Sequence, residues 1–274
     1  METIKTLYAI PNYECNLNCW YCKLKDKKIQ YNEERFLKAI NEFNGEIILF
    51  GGEPTLYPDR FESVINTGKI TSITSNMMNL NGQNAYNSKH CRIATTFRPS
   101  KQWFKNLKEV SSINDFGIRI LVTLTNDLIR QVPSKLIESL LFLKQNECNI
   151  DSILFEQLLD ENKTDSFYKA VDEWLYSIHF IYNLEDLGIR SIIVDQILNG
   201  WYFNCKNVYT LDPDGTIKQG CPQKERYKTL DKCYMCEKAN RCRPCVLQTK
   251  CVYPHKFGNE ILKRYDKKRR LQTL

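Results

Sequence analysis

Three cysteines, Cys15, Cys19 and Cys22, stand within the stretch ECNLNCWYC at C-x3-C-x2-C spacing. Thiolates are soft ligands suited to iron–sulfur clusters and zinc. A structural zinc site asks for four protein ligands, and a fully ligated electron-transfer cluster asks for a fourth cysteine. No Cys or His follows these three until His90. Three thiolates at this spacing suit a cubane held by three of its four irons, with the fourth iron open to a ligand that is not protein. The bland alternative is a zinc knuckle. Seven more cysteines crowd the C-terminal part, at Cys205, Cys221, Cys233, Cys236, Cys242, Cys245 and Cys251. Cys91 and Cys148 stand alone and read as buried thiols, because free cysteine packs as a small hydrophobe. The chain has three histidines, at 90, 179 and 255, so mixed Cys/His sites are hard to build.

The elements that must position the first cysteines are short and alternate in kind. TLYAIP reads as a strand that leads into the cysteine loop. Asn32 is placed to cap a helix with Phe36, Leu37, Ile40 and Phe43 at helical spacing, and Asn44-Gly45 stops it. EIILF (46–50) reads as a buried strand running into Gly51-Gly52. A helix over 59–66 follows, then strands at 69–76 and 91–97, a helix with Trp103, Phe104 and Leu107, and a strand at 117–125. Ser134 is placed to cap a helix through Leu136, Ile137, Leu140, Leu141 and Leu143. A strand at 151–159 and a helix with Phe167, Val171, Trp174, Leu175 and Ile178 close the series. Such alternation predicts a parallel sheet with helical crossovers, an open or closed barrel rather than a sandwich. Chemistry in these folds gathers at the C-terminal ends of the strands. The cysteine loop and Gly51-Gly52-Glu53 then share one mouth. Residues 207–221 read as a hairpin around Asp-Pro-Asp-Gly. The cysteine-rich stretch beyond it is too poor in core residues to fold without metal staples.

The 274 residues, 42% of them apolar, allow one large domain or a domain with a small appendix. The N-terminal stretch lacks a secretory apolar region, and no apolar run approaches the roughly 18–20 residues of a membrane span. The expectation is a cytoplasmic chain with no membrane partner, where thiols stay reduced and a disulfide framework is disfavoured. The net charge of +7 is uneven: residues 205–274 carry 17 Lys+Arg against 7 Asp+Glu, and residues 1–204 carry 22 against 25. A basic tail fits an anionic partner such as nucleic acid. It also fits balance for thiolate-ligated clusters, which are themselves anionic. The run KRYDKKRR (263–270) lies beyond the last cysteine. It reads as a solvated helical tail or as a docking surface for an acidic partner.

Cys15, Cys19, Tyr21 and Cys22 match residue for residue a C-x3-C-x-Φ-C signature with an aromatic at Φ. Gly51-Gly52-Glu53-Pro54 matches the GGEP motif that follows the second strand in the same family. On these residues the chain resembles the radical SAM enzymes, from residue 4 to about residue 200. The resemblance implies an α/β fold, a partial (βα)6 TIM-like barrel. It implies that Cys15, Cys19 and Cys22 ligate one 4Fe–4S cluster whose open iron is chelated by S-adenosylmethionine. An electron from the reduced cluster, fed by a flavodoxin- or ferredoxin-like donor, would cleave the cofactor to a 5′-deoxyadenosyl radical that takes a hydrogen atom from substrate. Gly51 and Gly52 would let the backbone approach the methionine moiety, Tyr21 would meet the adenine, and Thr95 or Thr96 would contact the ribose. Glu53 would face the cofactor's cationic amine or serve a structural hydrogen bond. Asn76 and Asn126, at the ends of strands three and five, face the same mouth, although Asn at a strand end is also an ordinary turn residue.

The C-terminal cysteines, with Gly215 in the hairpin, resemble the SPASM extension of radical SAM enzymes that modify peptides. Two spacings depart from that pattern: five residues rather than four follow Gly215, and two rather than three separate Cys242 from Cys245. The resemblance implies two auxiliary 4Fe–4S clusters, one on Cys233, Cys236, Cys242 and Cys251, the other on Cys205, Cys221 and Cys245. One iron cluster and a zinc is the alternative division. The domain organisation expected is a radical SAM core over 1–200, a small cysteine-rich cluster-binding domain over 201–255 and a basic tail over 256–274. The expected function is modification of a ribosomal peptide or protein side chain. A dehydrogenase acting on a small molecule is the alternative. A zinc- or cluster-bearing nucleic-acid-binding protein is the non-enzymatic reading, and it leaves Gly51-Gly52-Glu53-Pro54 without a purpose.

Overall fold

The computed structural model describes residues 5–20, 22, 24, 27–80, 91–157, 165–194, 207–220, 257, 260–261 and 263–264. The chain divides into two compact units. The first comprises Met1–Ile120, Asn146–Asp151 and Asn204–Glu225; the second comprises Leu121–Gln145, Ser152–Phe203 and Arg226–Leu274.

The first unit is built on a largely parallel sheet, with helices after several of its strands. Strand β1 (Thr6–Ala9) pairs in parallel with β2 (Glu46–Leu49), from Thr6↔Glu46 to Ala9↔Leu49. β3 (Ser72–Ser75) and β4 (Arg92–Thr96) continue the sheet in parallel. The side chains of β1 and β2 alternate: Leu7, Ala9, Ile47 and Leu49 are fully buried, whereas Tyr8 and Ile48 are half-buried. One face of the sheet therefore has a dry core and the other is partly open, which is the period-2 signature of a sheet covered unequally on its two sides.

The connecting helices follow from local sequence. Asn32 caps α1 (Glu33–Glu42), its side-chain oxygen accepting from the Arg35 N–H at 3.1 Å. That arrangement satisfies a donor the first turn leaves orphaned. Phe36 and Ile40, one helical turn apart, are fully buried. Each contributes about 1.5–3 kcal/mol through removal from water. Pro58 opens α2 (Pro58–Ile65), where its missing N–H costs nothing. Ser100 caps α3 (Lys101–Ser111) through the Trp103 N–H.

The hairpin expected at 207–221 is present as β8 (Val208–Leu211) and β9 (Ile217–Gln219), antiparallel. Its place in the sheet is new. β8 pairs in parallel with β1, Thr6↔Val208 to Ala9↔Leu211, so the hairpin extends the sheet of the first unit. The Asp-Pro-Asp-Gly turn rests on the start of α1: the Asn32 N–H donates to the Pro213 carbonyl at 2.9 Å. Gly215 there has φ +85°, and a Cβ would come within 2.5 Å of the Arg35 Cβ.

β5 (Ile118–Leu124) is the strand most evident from sequence. The second unit carries α4 (Asn126–Arg130), α5 (Ser134–Gln145), α6 (Asp165–Tyr176), and the parallel pair of β6 (Ile150–Gln157) with β7 (Arg190–Ser191). Ser134 does not cap α5 but lies within it. The first turn starts at Val132 and Pro133, whose carbonyls accept from Lys135 and Leu136. After α6 the chain widens into a π-helical turn, Ser177–Ile181. That turn carries His179, 2% exposed, whose ring sits against Phe155 and Phe257. Its Nδ1 lies 2.8 Å from the Leu175 carbonyl and its Nε2 lies 2.8 Å from the Ser191 hydroxyl. A carbonyl only accepts, so the proton is on Nδ1 and Ser191 donates to Nε2. No helix among the described residues is long and apolar enough to cross a membrane.

Burial lowers the His179 pKa to about 4, against a pull upward from the Leu175 carbonyl. A folded pKa below the unfolded value means that the unfolded chain binds the proton first as pH falls. The stability is full above pH ~6.5 and declines as pH drops toward 4, by up to about 3 kcal/mol. Urea unfolding across this window is expected to show that slope in the native sequence and a flatter one in His179→Gln.

Candidate functional site

The cysteine loop and the glycine turn are joined by backbone. Past the ends of β1 and β2 the pairing continues: Phe50 N–H donates to Ala9 O at 2.9 Å, Gly52 N–H to Asn12 O at 3.1 Å, and Glu53 N–H to Glu14 O at 2.7 Å. The Asn12 side-chain amide donates back to Glu53 O at 3.1 Å. A Cβ at Gly52 would lie 1.9 Å from the Glu14 carbonyl oxygen, and one at Gly51 would lie 2.7 Å from Ile10 Cγ2. Gly51 also has φ +138°. From sequence these glycines are assigned to ligand approach. What the structure shows at these glycines is a close approach of the cysteine-loop backbone.

Cys15, Cys19 and Cys22 are partly exposed thiols, none in a disulfide. Cys22 is folded back by its N–H bond to Cys19 O at 3.0 Å. It packs on a small apolar cluster of Ile10, Tyr13 and Leu24 under the loop. Donors aim at two of the sulfurs. Cys15 Sγ receives the Leu17 N–H at 3.4 Å and the Asn76 amide at 3.6 Å. Cys19 Sγ receives the Arg98 guanidinium at 2.6 Å. Burial pushes the Cys15 thiol up, while the Leu17 N–H pulls it down. Among the described residues no three His, Cys, Asp or Glu side chains meet to hold a single metal ion. A cubane does not ask for such a meeting, since each thiolate binds a different iron. Three partly exposed thiols on one loop, none in a disulfide and two with N–H donors facing the sulfur, are a donor set that fits a 4Fe–4S cluster.

Glu53 lies 1% exposed beneath this loop. Its Oε1 accepts from the Thr55 hydroxyl at 2.8 Å, the Ser75 hydroxyl at 2.8 Å and the Thr55 N–H at 3.3 Å, and its Oε2 accepts from the Asn76 N–H at 2.8 Å. Burial raises its pKa and these four donors oppose the rise. The structural hydrogen bond weighed from sequence is thus present four times over, tying the glycine turn to the end of β3. Asn76, buried at that end, donates its amide to Asn16 Oδ1 at 2.7 Å as well as toward Cys15. Thr95 is fully buried and accepts from Trp103 Nε1 at 3.2 Å, whereas Thr96 is half-buried at the end of β4. Asn126 is the first residue of α4, capped by Thr125, and belongs to the second unit. Tyr21, Cys205, Cys221, Cys233, Cys236, Cys242, Cys245 and Cys251 lie outside the described residues. Cys91 and Cys148 are buried, and burial pushes the Cys91 thiol up to about 12.

Several supporting residues escape the sequence reading. Tyr13, just ahead of the first cysteine, donates its hydroxyl to buried Asp212, which also pairs with Lys218. From sequence Asp212 is only a turn residue. Arg60 stacks its guanidinium on the rings of Tyr31 at 4.0 Å and Tyr57 at 4.5 Å and donates to Pro11 O at 2.9 Å. Tyr57 donates to Glu14 Oε2 at 2.5 Å. No sequence signal marks the contacts of Tyr13 with Asp212, Arg60 with Tyr31 and Pro11, or Tyr57 with Glu14, because each joins positions tens of residues apart.

No protein-family model matches the sequence, and no curated protein is similar to it at the sequence level. Solved structures are similar in three dimensions, two of them over most of this chain. One is native anSMEcpe with bound AdoMet and the Cp18Cys peptide, at TM-score 0.60 and 16% identity, covering 98% of each chain. The other is SuiB of Streptococcus suis bound to S-adenosylmethionine, at TM-score 0.61 and 16% identity, covering 91% of this chain and 74% of that one. This chain has their fold. The resemblance to radical SAM enzymes carried by Cys15, Cys19, Cys22 and Gly51-Gly52-Glu53-Pro54 is therefore joined by a likeness of fold over nearly the whole chain.

Two substitutions test the frame under the thiols. Gly52→Ala puts a methyl into the Glu14 carbonyl and is expected to cost about 1–3 kcal/mol or more by overpacking, with faster alkylation of Cys15, Cys19 and Cys22 in peptide-mapped thiol labelling. Glu53→Gln leaves either the Asn76 N–H or the Thr55 N–H facing an amide donor, whichever way the amide is turned. It is expected to cost about 1–3 kcal/mol in urea unfolding.

Proposed function

We propose that the chain is a radical SAM enzyme that modifies a peptide. The observation that carries the reading is the splice of the C-x3-C-x-Φ-C loop onto the Gly-Gly-Glu-Pro turn by the Gly52 and Glu53 N–H bonds, in a chain with the fold of two AdoMet-bound proteins. When bound, a 4Fe–4S cluster and S-adenosylmethionine supply one-electron reductive cleavage to a hydrogen-abstracting 5′-deoxyadenosyl radical. The rest is the work of the chain: binding, orientation and exclusion of water.

Cys15, Cys19 and Cys22 are the cluster ligands in this reading. Asn76 and the Leu17 N–H orient the Cys15 sulfur, and Ile10, Tyr13 and Leu24 keep water from the floor of the loop. The partly open face of the sheet, with Tyr8 and Ile48, is the inner face of a partial (βα)6 barrel. Gly51 and Gly52 present backbone to the methionine end of the cofactor and Tyr21 meets the adenine. Thr96, with its partial exposure, suits the ribose better than Thr95, which is committed to Trp103. Glu53 acts through the turn that it braces, and Asn76 stands at the mouth beside Cys15. The core spans 1–200, with the hairpin seated in its sheet. The cysteine-rich segment 201–255 holds the auxiliary clusters, Cys233, Cys236, Cys242 and Cys251 on one and Cys205, Cys221 and Cys245 on the other. Residues 256–274 form a basic tail, and a flavodoxin- or ferredoxin-like protein supplies electrons. The peptide as substrate is supported by the Cp18Cys peptide held by anSMEcpe.

Anaerobic reconstitution with iron and sulfide, followed by S-adenosylmethionine and dithionite, is expected to release 5′-deoxyadenosine. Cys19→Ala is expected to lose at least about a hundredfold of that release, because the cluster loses a ligand. A reconstituted native chain that leaves S-adenosylmethionine intact overturns the proposal.

A further inference from the structure

The donors at the cysteine sulfurs differ in charge. Cys15 takes neutral ones, the Leu17 N–H and the Asn76 amide. Cys19 takes a guanidinium, Arg98 Nη2 at 2.6 Å, from a residue 79 positions along the chain. Arginine keeps its charge at any physiological pH and presents its donors in a rigid fork. The stretch that carries it is also fixed. Thr96 ends β4 and Ser100 caps α3, so Arg98 sits in a link of three residues. Phe97, next to it, packs edge-on against the fully buried Trp103, with centroids 5.8 Å apart. Trp103 in turn is held by Thr95. Arg98 is thus held toward the cysteine loop from a braced strand end, and no motif singled out from sequence includes it.

We propose that Arg98 is a positioning residue that sets the reduction potential of the cluster on Cys15, Cys19 and Cys22, acting through the Cys19 sulfur. The inference rests on the reading given above. A cationic donor draws electron density from a ligating thiolate. It favours the more negative, reduced cluster, because hydrogen bonds to the sulfurs and local charge are what tune such potentials. Reduction adds one electron to the cluster, supplied by dithionite, with no bond or proton change in the protein.

The test is an anaerobic redox titration of the reconstituted full chain followed by electron paramagnetic resonance. The signal read is the one that changes when S-adenosylmethionine is added, which separates the core cluster from any other. Arg98→Gln and Arg98→Met remove the charge, and Arg98→Lys keeps it. The expected result is a reduction equilibrium about tenfold less favourable in the Gln and Met variants, about 59 mV lower for one electron, with Lys near the native value. Loss of the cluster from both neutral variants but not from Lys also supports the contact. Unchanged potentials in Gln and Met overturn the inference and leave the functional reading standing, as does loss of the cluster from all three. A native chain with no S-adenosylmethionine-sensitive signal overturns the functional reading instead.

Discussion

The structure depends on one backbone contact, the seating of Gly52 against the backbone of Tyr13 and Glu14. A Cβ there would overlap the Glu14 carbonyl at 1.9 Å, so only glycine lets the two segments close. Once closed, Gly52 and Glu53 give their N–H groups to Asn12 and Glu14, and the hydrogen bonding of β1 with β2 runs on beyond the strands. Backbone donors buried without partners are costly. The loop that carries the cysteines is therefore held as an extension of the sheet and not as a free excursion from it.

Polar side chains then fix that extension from three directions. Glu53 reaches Ser75 and Asn76, which brings the end of β3 under the glycine turn. Asp212 holds Tyr13 from the β8 side. Arg60, between two tyrosine rings, holds the Pro11 carbonyl from α2. The buried carboxylates are tolerated because their lone pairs are occupied by donors.

The order of strands and helices was legible because it is written in local patterns. Phe36 and Ile40 at helical spacing behind Asn32, and Ile47 and Leu49 at strand spacing, need no knowledge of the rest of the chain. The cysteine and Gly-Gly-Glu-Pro motifs were legible for the same reason. What was not legible depends on partners distant in sequence. Ser134 looked like a cap, yet the turn formed by Val132 and Pro133 starts the helix before it. Thr95 and Thr96 are equivalent by position, and only the burial of Trp103 beside one of them tells them apart. Asp212 looked like turn chemistry because Tyr13 is 199 residues away.

The hairpin shows how register turns such distant pairs into a constraint. β8 runs parallel to β1, so Leu211 ends beside Ala9, at the edge from which the cysteine loop leaves. The Ile10 N–H bond to Leu211 O at 2.9 Å fixes that register. β9 then returns, and Gly220 closes on Val208 at 2.7 Å at the opposite edge. Val208 and Leu211 are three residue steps apart, about 10 Å. In sequence Cys205 stands two positions before the described start of the hairpin and Cys221 one after its end. A slip of β8 by one residue would turn Asp212 to the other face of the sheet and away from Tyr13. One register, set between β1 and β8, thus governs the support that Asp212 gives to the loop of the first cysteines.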